Sequence, residues 1–315
     1  MYSSFQPFFI IAETPLHPGS GSELGVVDLP IQRERHTNFP KIEGSGVKGC
    51  IREAFEYLDK EVEIDSQKIK IKEYVPLIFG PEEGEEYAGA LAFTDARILL
   101  FPVKSLKGVF AWITCPQVVE RFKEDMRIAG CLLKDFPDEV RINACPDDSD
   151  LIIDSKIVLE EFTFSVETCD NARELAKWLA EKIFPQRDSG NDLYKYWREK
   201  LQKDLVILSD DDFTEFVTTS TEIIARTAID NVTGTVKKGG LWYEEYLPQD
   251  TVLYSVAMAT PIRVKIENNS EQGNKDAGKV VEFFKKSIPE IIQIGGNQTV
   301  GKGIARIKLW EDKNE

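Results

Sequence analysis

Two hydrophobic periods alternate along this 315-residue chain, and the alternation restricts its fold more than any other feature. Residues 162–166 alternate apolar with polar side chains, as a half-buried strand does. Residues 109–115 and 253–259 are almost continuously apolar, which indicates more fully buried strands. The run F-F-I-I-A at residues 8–12 predicts the first strand, and an alternating pattern over residues 304–309 predicts the last one. We therefore expect a largely buried sheet.

Four other segments place apolar residues at helical spacing. In the first, residues 45–58, the side chains of Val47, Ile51 and Phe55 fall on one helical face, and Ser45 is a candidate N-cap. Further helices are predicted over residues 116–126, 171–183 and 276–286. Because strands alternate with helices while some strands follow one another directly, the pattern indicates an α+β fold with an antiparallel or mixed sheet.

The predicted elements are distributed over the whole chain without a linker or a tandem repeat. We therefore expect one domain over residues 1–315, although the length would also allow two ordinary domains. Polar stretches predict insertions at about 60–90, 117–155 and 170–220, and the acidic run at residues 210–212 indicates a loop. A hairpin is expected at about 221–250, and a glycine-rich loop at 295–303.

The charge distribution is uneven. The chain has a net charge of −15, yet residues 32–52 contain five cations and two carboxylates. These cations are Arg33, Arg35, Lys41, Lys48 and Arg52. A local positive surplus in an acidic protein indicates an anionic ligand, whereas the overall charge disfavours indiscriminate binding to nucleic acid.

The cysteines and the hydropathy pattern bear on the compartment. Five scattered cysteines without a C-x-x-C pair argue against a disulfide framework and against a zinc cluster. No apolar run approaches the roughly 20 residues that cross a bilayer, and the first residues lack the features of a signal peptide. We expect a cytoplasmic protein with no membrane partner.

Two glycine-rich segments could bring the backbone close to an anion. Residues 44–49, G-S-G-V-K-G, fit G-x-G-x-x-G, but the segment before them is too short and polar for the strand of a dinucleotide-binding fold. The N-terminus of the helix, with Lys48 and with Arg52 one turn later, could instead hold a phosphate. A simple glycine turn with a solvated lysine is the alternative. The loop at 295–303 is equally consistent with a ligand loop and with a turn.

The segment 221–254 has strand-like arms around a polar tip at residues 230–240. Trp242 lies near cations, an arrangement that suits stacking on nucleic-acid bases. A hairpin that packs its aromatic residues on the body of the protein would have the same pattern.

Single residues in the loop after the first strand are weaker signals. Asp28 is flanked by apolar residues, and His17 precedes a Pro-Gly pair. His17 could be a metal ligand or a general acid, although a loop histidine whose ring is simply hydrogen-bonded within the fold is commoner. Because no second acidic residue stands at ligand spacing, the sequence shows no metal site built by the protein alone.

Taken together, several strings resemble one family. They are H-P-G-S-G followed by V-D-L-P-I-Q-R-E-R-H-T, then P-K-I-E-G-S-G-V-K-G, the L-A-F-T-D-A-R run at 91–97, L-W-Y-E-E-Y-L-P, and G-G-N-Q-T-V-G-K-G. The chain resembles the RAMP superfamily from residue 8 to residue 309, and most closely the repeated backbone subunits of type III-B CRISPR effectors (Cmr complexes). The V-D-L-P-I-Q-R-E-R-H-T string is far more specific than a glycine pattern.

The resemblance implies a modified ferredoxin-like palm, similar to an RNA-recognition motif, with helical insertions and a protruding thumb hairpin. It also implies copies stacked in a helical filament along a guide CRISPR RNA, with other Cmr subunits as partners. Each thumb would displace a nucleotide of a complementary target RNA, and the protein would cleave that RNA at regular intervals.

The resemblance further assigns residues. Asp28 matches the loop aspartate that supports cleavage, while His17, Glu244 and Tyr246 match positions around the same cut. Asp28 would either accept the 2′-hydroxyl proton or hold a divalent metal, Mg²⁺ or Mn²⁺. We favour the metal, because a carboxylate is a weak base at neutral pH. The residues expected to contact RNA are Arg33, Arg35, Ser45, Lys48, Arg52, Trp242, Gln298 and Lys302.

Other functions stay open at this point. A filament subunit of the same superfamily could bind RNA without cutting it, and only the presence of Asp28 argues against that. A stand-alone guide-processing nuclease would need a Lys/Tyr/His set that is not visible in the sequence.

Overall fold

The computed structural model describes residues 2–22, 25–82, 87–186, 192–262 and 276–311. Parts of the predicted insertions, residues 83–86 and 187–191, lie outside these ranges. The strands are β1 Ser4–Ala12, β2 Lys41–Ile42, β3 Glu61–Ile64, β4 Gln67–Lys70, β5 Leu91–Phe93, β6 Ala96–Lys104, β7 Phe110–Thr114, β8 Ala144–Cys145, β9 Lys156–Leu159, β10 Phe162–Ser165, β11 Glu167–Thr168, β12 Leu205–Ile207, β13 Glu222–Ile229, β14 Val236–Tyr246, β15 Val252–Ala259, β16 Ile291–Gln293 and β17 Ile304–Leu309. The α-helices are α1 Gly44–Glu56, α2 Ile71–Phe79, α3 Pro116–Ile128, α4 Asp170–Ile183, α5 Lys195–Lys203, α6 Asp210–Thr219 and α7 Ala277–Ser287, and Gln298–Val300 form a short 3₁₀ turn. None of these helices is both long and apolar enough to cross a membrane.

One mixed sheet organises the fold. Its main strand order is β11-β8-β12-β7-β6-β15-β1-β17-β16, while β2 pairs with β6 and β5 pairs with β15. The central strands β6, β15, β1 and β17 are antiparallel to one another. Parallel pairs occur only towards one end of this order, where β12 joins β7 and β11 joins β8. The mixed α/β fold agrees with the periodicity of the sequence.

Both faces of the central sheet are covered. In β1, Phe8 contacts Phe284 of α7, and the ring of Phe284 stacks on Phe55 of α1. The next residue, Phe9, points to the other face, where it contacts Phe122 of α3 and Trp310. This explains the continuous apolar run in β1, because every residue from position 6 to position 12 is buried.

The hairpin β13–β14 forms a separate two-stranded sheet. On its outer half, apolar side chains such as Ile229, Val236 and Leu241 are exposed. The last residues of β14 are buried, so the hairpin is rooted in the body only at the end of its second strand.

Most predicted elements are present, with two corrections. Helix α1 begins at Gly44 with Glu43 in the N-cap position, so Ser45 is inside the helix and does not cap it. The acidic run at residues 210–212, which we expected in a loop, forms the first turn of α6. There the negative charges favour the helix N-terminus.

Candidate functional site at the root of the hairpin

Two loop segments add to the free edge of β14. Leu29 pairs with Glu244: its N–H donates to the carbonyl oxygen of Tyr243, and its own carbonyl accepts from the N–H of Glu245, both at 3.0 Å. Leu16 forms an antiparallel bridge with Leu247, directly after β14, in which each N–H donates to the other residue's carbonyl oxygen. The hairpin root thus carries β13 on one edge and the loop after β1 on the other. This joins residues that are more than two hundred positions apart.

Asp28 stands beside this junction. Its Oδ2 accepts a hydrogen bond from the backbone N–H of Tyr243 at 2.8 Å. The residue is half-exposed, and the described residues provide no further hydrogen bond to its carboxylate. One oxygen is therefore held by the hairpin, while the other has no hydrogen-bond partner among the described residues.

On one face of β14, Glu244 and Tyr246 form the centre of a buried polar cluster. Glu244 accepts hydrogen bonds from the Tyr246 hydroxyl, from Trp242 Nε1 at 2.7 Å and from Arg226 Nε at 3.1 Å. The Nδ2 of Asn297, in the glycine-rich loop, donates to Glu244 Oε2 at 2.9 Å and to the Tyr246 hydroxyl at 2.7 Å. The cluster links the hairpin to the glycine-rich loop.

The charge states of this cluster follow from its contacts. Burial alone would raise the pKa of Glu244, but hydrogen bonds from Tyr246, Trp242 and Arg226 outweigh burial and lower the pKa. Burial and the adjacent Glu244 carboxylate raise the pKa of the Tyr246 hydroxyl. At neutral pH the pair is therefore a carboxylate and a neutral phenol. The ammonium group of Lys302 lies 5.1 Å from the centre of the Tyr246 ring.

His17 is buried against the same cluster. Its Nδ1 is 2.7 Å from the carbonyl oxygen of Glu245, and its ring centre is 5.4 Å from that of Tyr246. Because a carbonyl oxygen can only accept, the proton must be on Nδ1, which leaves Nε2 for proton exchange. Gly19 lies over Nε2, where a side chain would crowd it: a Cβ would be 3.0 Å away.

The positive surplus of residues 32–52 is largely neutralised within the fold. Arg33 pairs with Glu245, Lys41 pairs with Glu43 and Asp95, and Arg52 pairs with Glu56. Arg35 is exposed, and among the described residues neither Arg35 nor Lys48 forms an ion pair. Burial and the nearby Arg52 lower the pKa of Lys48. The charge count therefore overstated the cations available to a ligand.

The structure brings together some of the predicted residues and separates others. The cluster contains five of them: His17, Trp242, Glu244, Tyr246 and Lys302. Asp28 contacts Tyr243, which lies between Trp242 and Glu244 in β14. Trp242 is half-buried, and Gln298 is exposed at the start of the 3₁₀ turn. Ser45, Lys48 and Arg52 are on α1, outside the hydrogen-bond network at the hairpin root.

Three important members of the site were not predicted: Arg226, Glu245 and Asn297. The alternation of side chains in β14 contained a signal for Glu245, since successive residues of a strand point to opposite faces and Glu245 therefore points away from Glu244. A buried acid requires a cation, and Arg33 was available in the cationic segment. Nothing in the local sequence marks Asn297, because its role depends on a left-handed backbone at φ 67°.

The site offers few protein ligands for a metal ion. Among the described residues, no group of three or more His, Cys, Asp or Glu side chains could hold an ion. Of the two carboxylates predicted to be catalytic, Glu244 has both oxygens hydrogen-bonded, whereas Asp28 has one oxygen without a partner among the described residues. That fits Mg²⁺, which commonly binds through one or two carboxylates and completes its shell with phosphates and water.

Comparison with known proteins gives consistent matches over nearly the whole chain. Residues 9–306 match the RAMP superfamily. The CRISPR system Cmr endoribonuclease Cmr4 of Pyrococcus furiosus is 41% identical over 307 residues, covering 96% of this chain and 94% of that protein. The CRISPR system CMR subunit Cmr4 of Saccharolobus solfataricus is 27% identical over 327 residues, covering 99% and 98%.

Solved structures agree with these sequence matches. The crystal structure of oligomeric Cmr4 from Pyrococcus furiosus has a TM-score of 0.71 at 33% identity and covers 99% of this chain and 100% of that one. A subunit in the cryo-EM structure of type III-B Cmr-beta bound to cognate target RNA has a TM-score of 0.72 at 23% identity, with 98% of each chain covered. The second match is a likeness of fold.

Proposed function

This chain belongs to the RAMP superfamily, and from that premise we propose that it is the backbone subunit of a type III-B CRISPR effector. In this role it binds guide RNA and cleaves complementary target RNA. The similarity to a protein named as a Cmr endoribonuclease supports the proposal. The observation that carries it is the single half-exposed carboxylate of Asp28, which is held at the root of the hairpin by the Tyr243 N–H.

A ferredoxin-like palm and a thumb are part of the proposal. The order β1-α1-β6-β15-α7-β17 is the β-α-β-β-α-β sequence of that fold, and α1 and α7 pack together on one face. The hairpin β13–β14 is the thumb. In contrast to an RNA-recognition motif, the opposite sheet face is covered by Phe122 and Trp310. RNA therefore binds along the loops and the hairpin.

Cations and aromatics near the hairpin root support an RNA path. Lys302, Gln298 and the half-buried Trp242 lie at one side of it, and Arg35 and Lys48 offer charges without ion pairs among the described residues. We assign guide-strand phosphates to Lys48 and the glycine-rich loop, and the target strand to the Asp28 side. Other copies of the chain and other Cmr subunits complete the filament.

The proposed cleavage uses the RNA's own 2′-hydroxyl. A displaced nucleotide lets the 2′-oxygen attack the adjacent phosphorus in line; the bond to the 5′-oxygen breaks, leaving a 2′,3′-cyclic phosphate and a 5′-hydroxyl. Asp28 either accepts the 2′-hydroxyl proton through its second carboxylate oxygen or would hold a divalent ion at the phosphate, in which case water takes that proton. His17 acts in its doubly protonated form: the Glu245 carbonyl holds the Nδ1 proton, Nε2 gives its proton to the leaving 5′-oxygen, and solvent then restores that proton. Bound Mg²⁺ or Mn²⁺ would supply charge neutralisation at the phosphate.

Glu244 and Tyr246 support cleavage by holding other parts of the site in place. The Tyr246 hydroxyl donates to Glu244 and accepts from Arg226 and Asn297, which uses all of its hydrogen-bonding capacity. The pair therefore holds the His17 ring and the glycine-rich loop in place.

Substitution of Asp28 tests the function. Asp28→Asn keeps an acceptor for the Tyr243 N–H but removes the charge, whereas Asp28→Ala removes both. In the complex reconstituted with guide RNA and partner subunits, we expect both variants to lose target cleavage while guide and target binding persist. Cleavage products are measured on gels with Mg²⁺, Mn²⁺ or EDTA.

The matched control is Asp59→Asn, because the Asp59 side chain is 98% exposed and has only a distant lysine partner, at 3.9 Å. This variant should cleave normally. Undiminished cleavage by Asp28→Ala would refute the assignment of Asp28, and a wild-type complex that binds target without cutting it would identify a purely RNA-binding filament subunit.

A further inference from the structure

Glu245 contacts more parts of the site than any of the residues predicted to be catalytic. Its carboxylate accepts hydrogen bonds from Arg33 Nη2 at 2.5 Å, from Thr221 Oγ1 at 2.8 Å and from the N–H of Ile31 at 3.0 Å. Its backbone carbonyl accepts from His17, and its N–H donates to Leu29. One residue therefore joins the start of the hairpin, the Asp28 loop and the histidine.

The Arg33–Glu245 ion pair is largely buried. The two side chains are 16% and 8% exposed. Arg33 also donates to the carbonyl oxygens of Asn38 and Val217, at 2.9 Å and 3.0 Å. Arg33 is thus tied to its own loop and to α6 while it binds Glu245. Removing the carboxylate would leave a poorly solvated guanidinium and free the loop that carries Asp28.

We propose that Glu245 is the positioning residue of the site, which fixes the Asp28 loop and the Nδ1–H form of His17 relative to the hairpin. The side chain does so from the opposite face of β14 to Glu244, so it reaches no RNA and exchanges no proton. Its three side-chain bonds set the rotation of the strand, and this rotation aims the Glu245 carbonyl at His17. The inference rests on the proposed function for its kinetic consequence, but not for its effect on His17.

The kinetic test uses Glu245→Ala and the conservative Glu245→Gln in the reconstituted complex. At saturating target, a loop displaced by about 1 Å lowers the single-turnover cleavage rate by about 100-fold, so we expect a loss of this order for Glu245→Ala with little change in target affinity. Glu245→Gln retains one acceptor oxygen, which can serve Ile31 or the pair Thr221 and Arg33 but not both, and the variant should fall between Glu245→Ala and wild type.

A second buried ion pair provides the control for lost stability. Lys200 and Asp204 are 8% and 6% exposed and 2.6 Å apart, between α5 and the start of β12. Asp204→Asn should lower the melting temperature to a similar degree and leave cleavage at the wild-type rate. Wild-type cleavage by Glu245→Ala, or an equal loss of cleavage in Asp204→Asn, would overturn the proposal.

A spectroscopic test needs neither RNA nor activity. The chain has two histidines, and the other, His36, is largely exposed, so long-range ¹H–¹⁵N spectra of the isolated protein can be assigned with His36→Gln. We expect His17 to hold its proton on Nδ1 in wild type, and an Nε2–H population to appear in Glu245→Ala. An unchanged His17 spectrum in that variant would overturn the positioning role. If instead the spectrum changes in Glu245→Ala but the wild-type complex binds target without cutting it, the proposed cleavage function fails while this inference stands.

Discussion

At the level of single residues, Gly295 brings the glycine-rich loop to within contact of His17. The backbone at Gly295 has φ 78°, and the carbonyl of His17 occupies the place that a Cβ would take. The neighbouring N–H, that of Gly296, donates to the same carbonyl at 3.0 Å. A glycine is required here for two reasons, since both the left-handed backbone and the close approach exclude a side chain.

Gly301 allows these two reasons to be separated. It has nearly the same φ, 76°, but a Cβ there would meet nothing within 4 Å. We expect Gly301→Ala to cost about 1 kcal/mol from backbone strain alone, and Gly295→Ala to cost roughly 2 kcal/mol more because the loop must move away from His17. Urea unfolding of the isolated chain measures both variants. Equal losses of unfolding free energy in the two variants would show that the loop moves away from His17 at no cost.

At the level of elements, helix α1 is capped by a residue from elsewhere in the chain. Glu43, in the N-cap position, makes no side-chain bond to the helix. Asp95, in the turn between β5 and β6, accepts from the N–H of Gly44 at 2.8 Å and from Lys41 Nζ at 2.8 Å. The carboxylate satisfies a free N–H at the positive end of the helix and so fixes α1 against the sheet.

The pH dependence of stability follows from this cap. Burial alone would raise the pKa of Asp95, but Lys41 and the Gly44 N–H outweigh it and lower the pKa. Because the folded-state pKa is lowered, the stabilisation is present above the unfolded value of about 4 and is lost as pH falls through the folded value. Asp95→Asn should therefore be less stable than wild type at neutral pH, and the difference should shrink in acid.

Glu43→Gln is the matched control, because Glu43 also pairs with Lys41, at 2.6 Å, but does not bond the helix N-terminus. Urea unfolding at pH 7 and in mild acid should show a larger neutral-pH loss for Asp95→Asn. An equal loss in the two variants would assign the effect to Lys41 alone.

Elements with a clear apolar stripe could be predicted from the sequence, and those without one could not. Helices α1, α3, α4 and α7 were found to within a few residues because each buries one face in the core. In α5 only Leu201 is buried, so the sequence shows no helical spacing of apolar residues there. Helix α6 was missed although its signal was present: Ser209 accepts from the Asp212 N–H, followed by buried Phe213 and Phe216.

The site was less predictable than the fold for a physical reason. The resemblance supplied Asp28, His17, Glu244 and Tyr246, and the structure brings the last three together and sets Asp28 beside them. Their partners come from distant segments, as Asn297 does, and local patterns carry no information on such pairings. Charge counting was misleading for the same reason, since Arg33 is neutralised by an acid that lies 212 positions away.

At the level of the whole molecule, the net charge of −15 and the internal pairing of cations restrict where RNA can bind. Acidic runs such as residues 147–150 lie on turns at the surface. We propose that this acidic exterior limits nonspecific capture, so isolated chain should bind free RNA only weakly even at low salt. Tight binding in a fluorescence titration of the isolated chain would contradict this view.

Salt dependence within the assembled complex tests which cations contact phosphate. Each lost phosphate contact lowers the slope of log affinity against log salt by about 0.7 for a single strand. We expect Lys48→Ala to weaken guide binding and to reduce the slope by about that amount, because Lys48 lacks an ion pair among the described residues and lies near the start of α1. Lys177→Ala, at an exposed lysine of α4, is the control and should leave the slope unchanged. If the two substitutions change the slope equally, the guide is held by the overall electrostatic field of the protein and not by a phosphate-binding site at the N-terminus of α1.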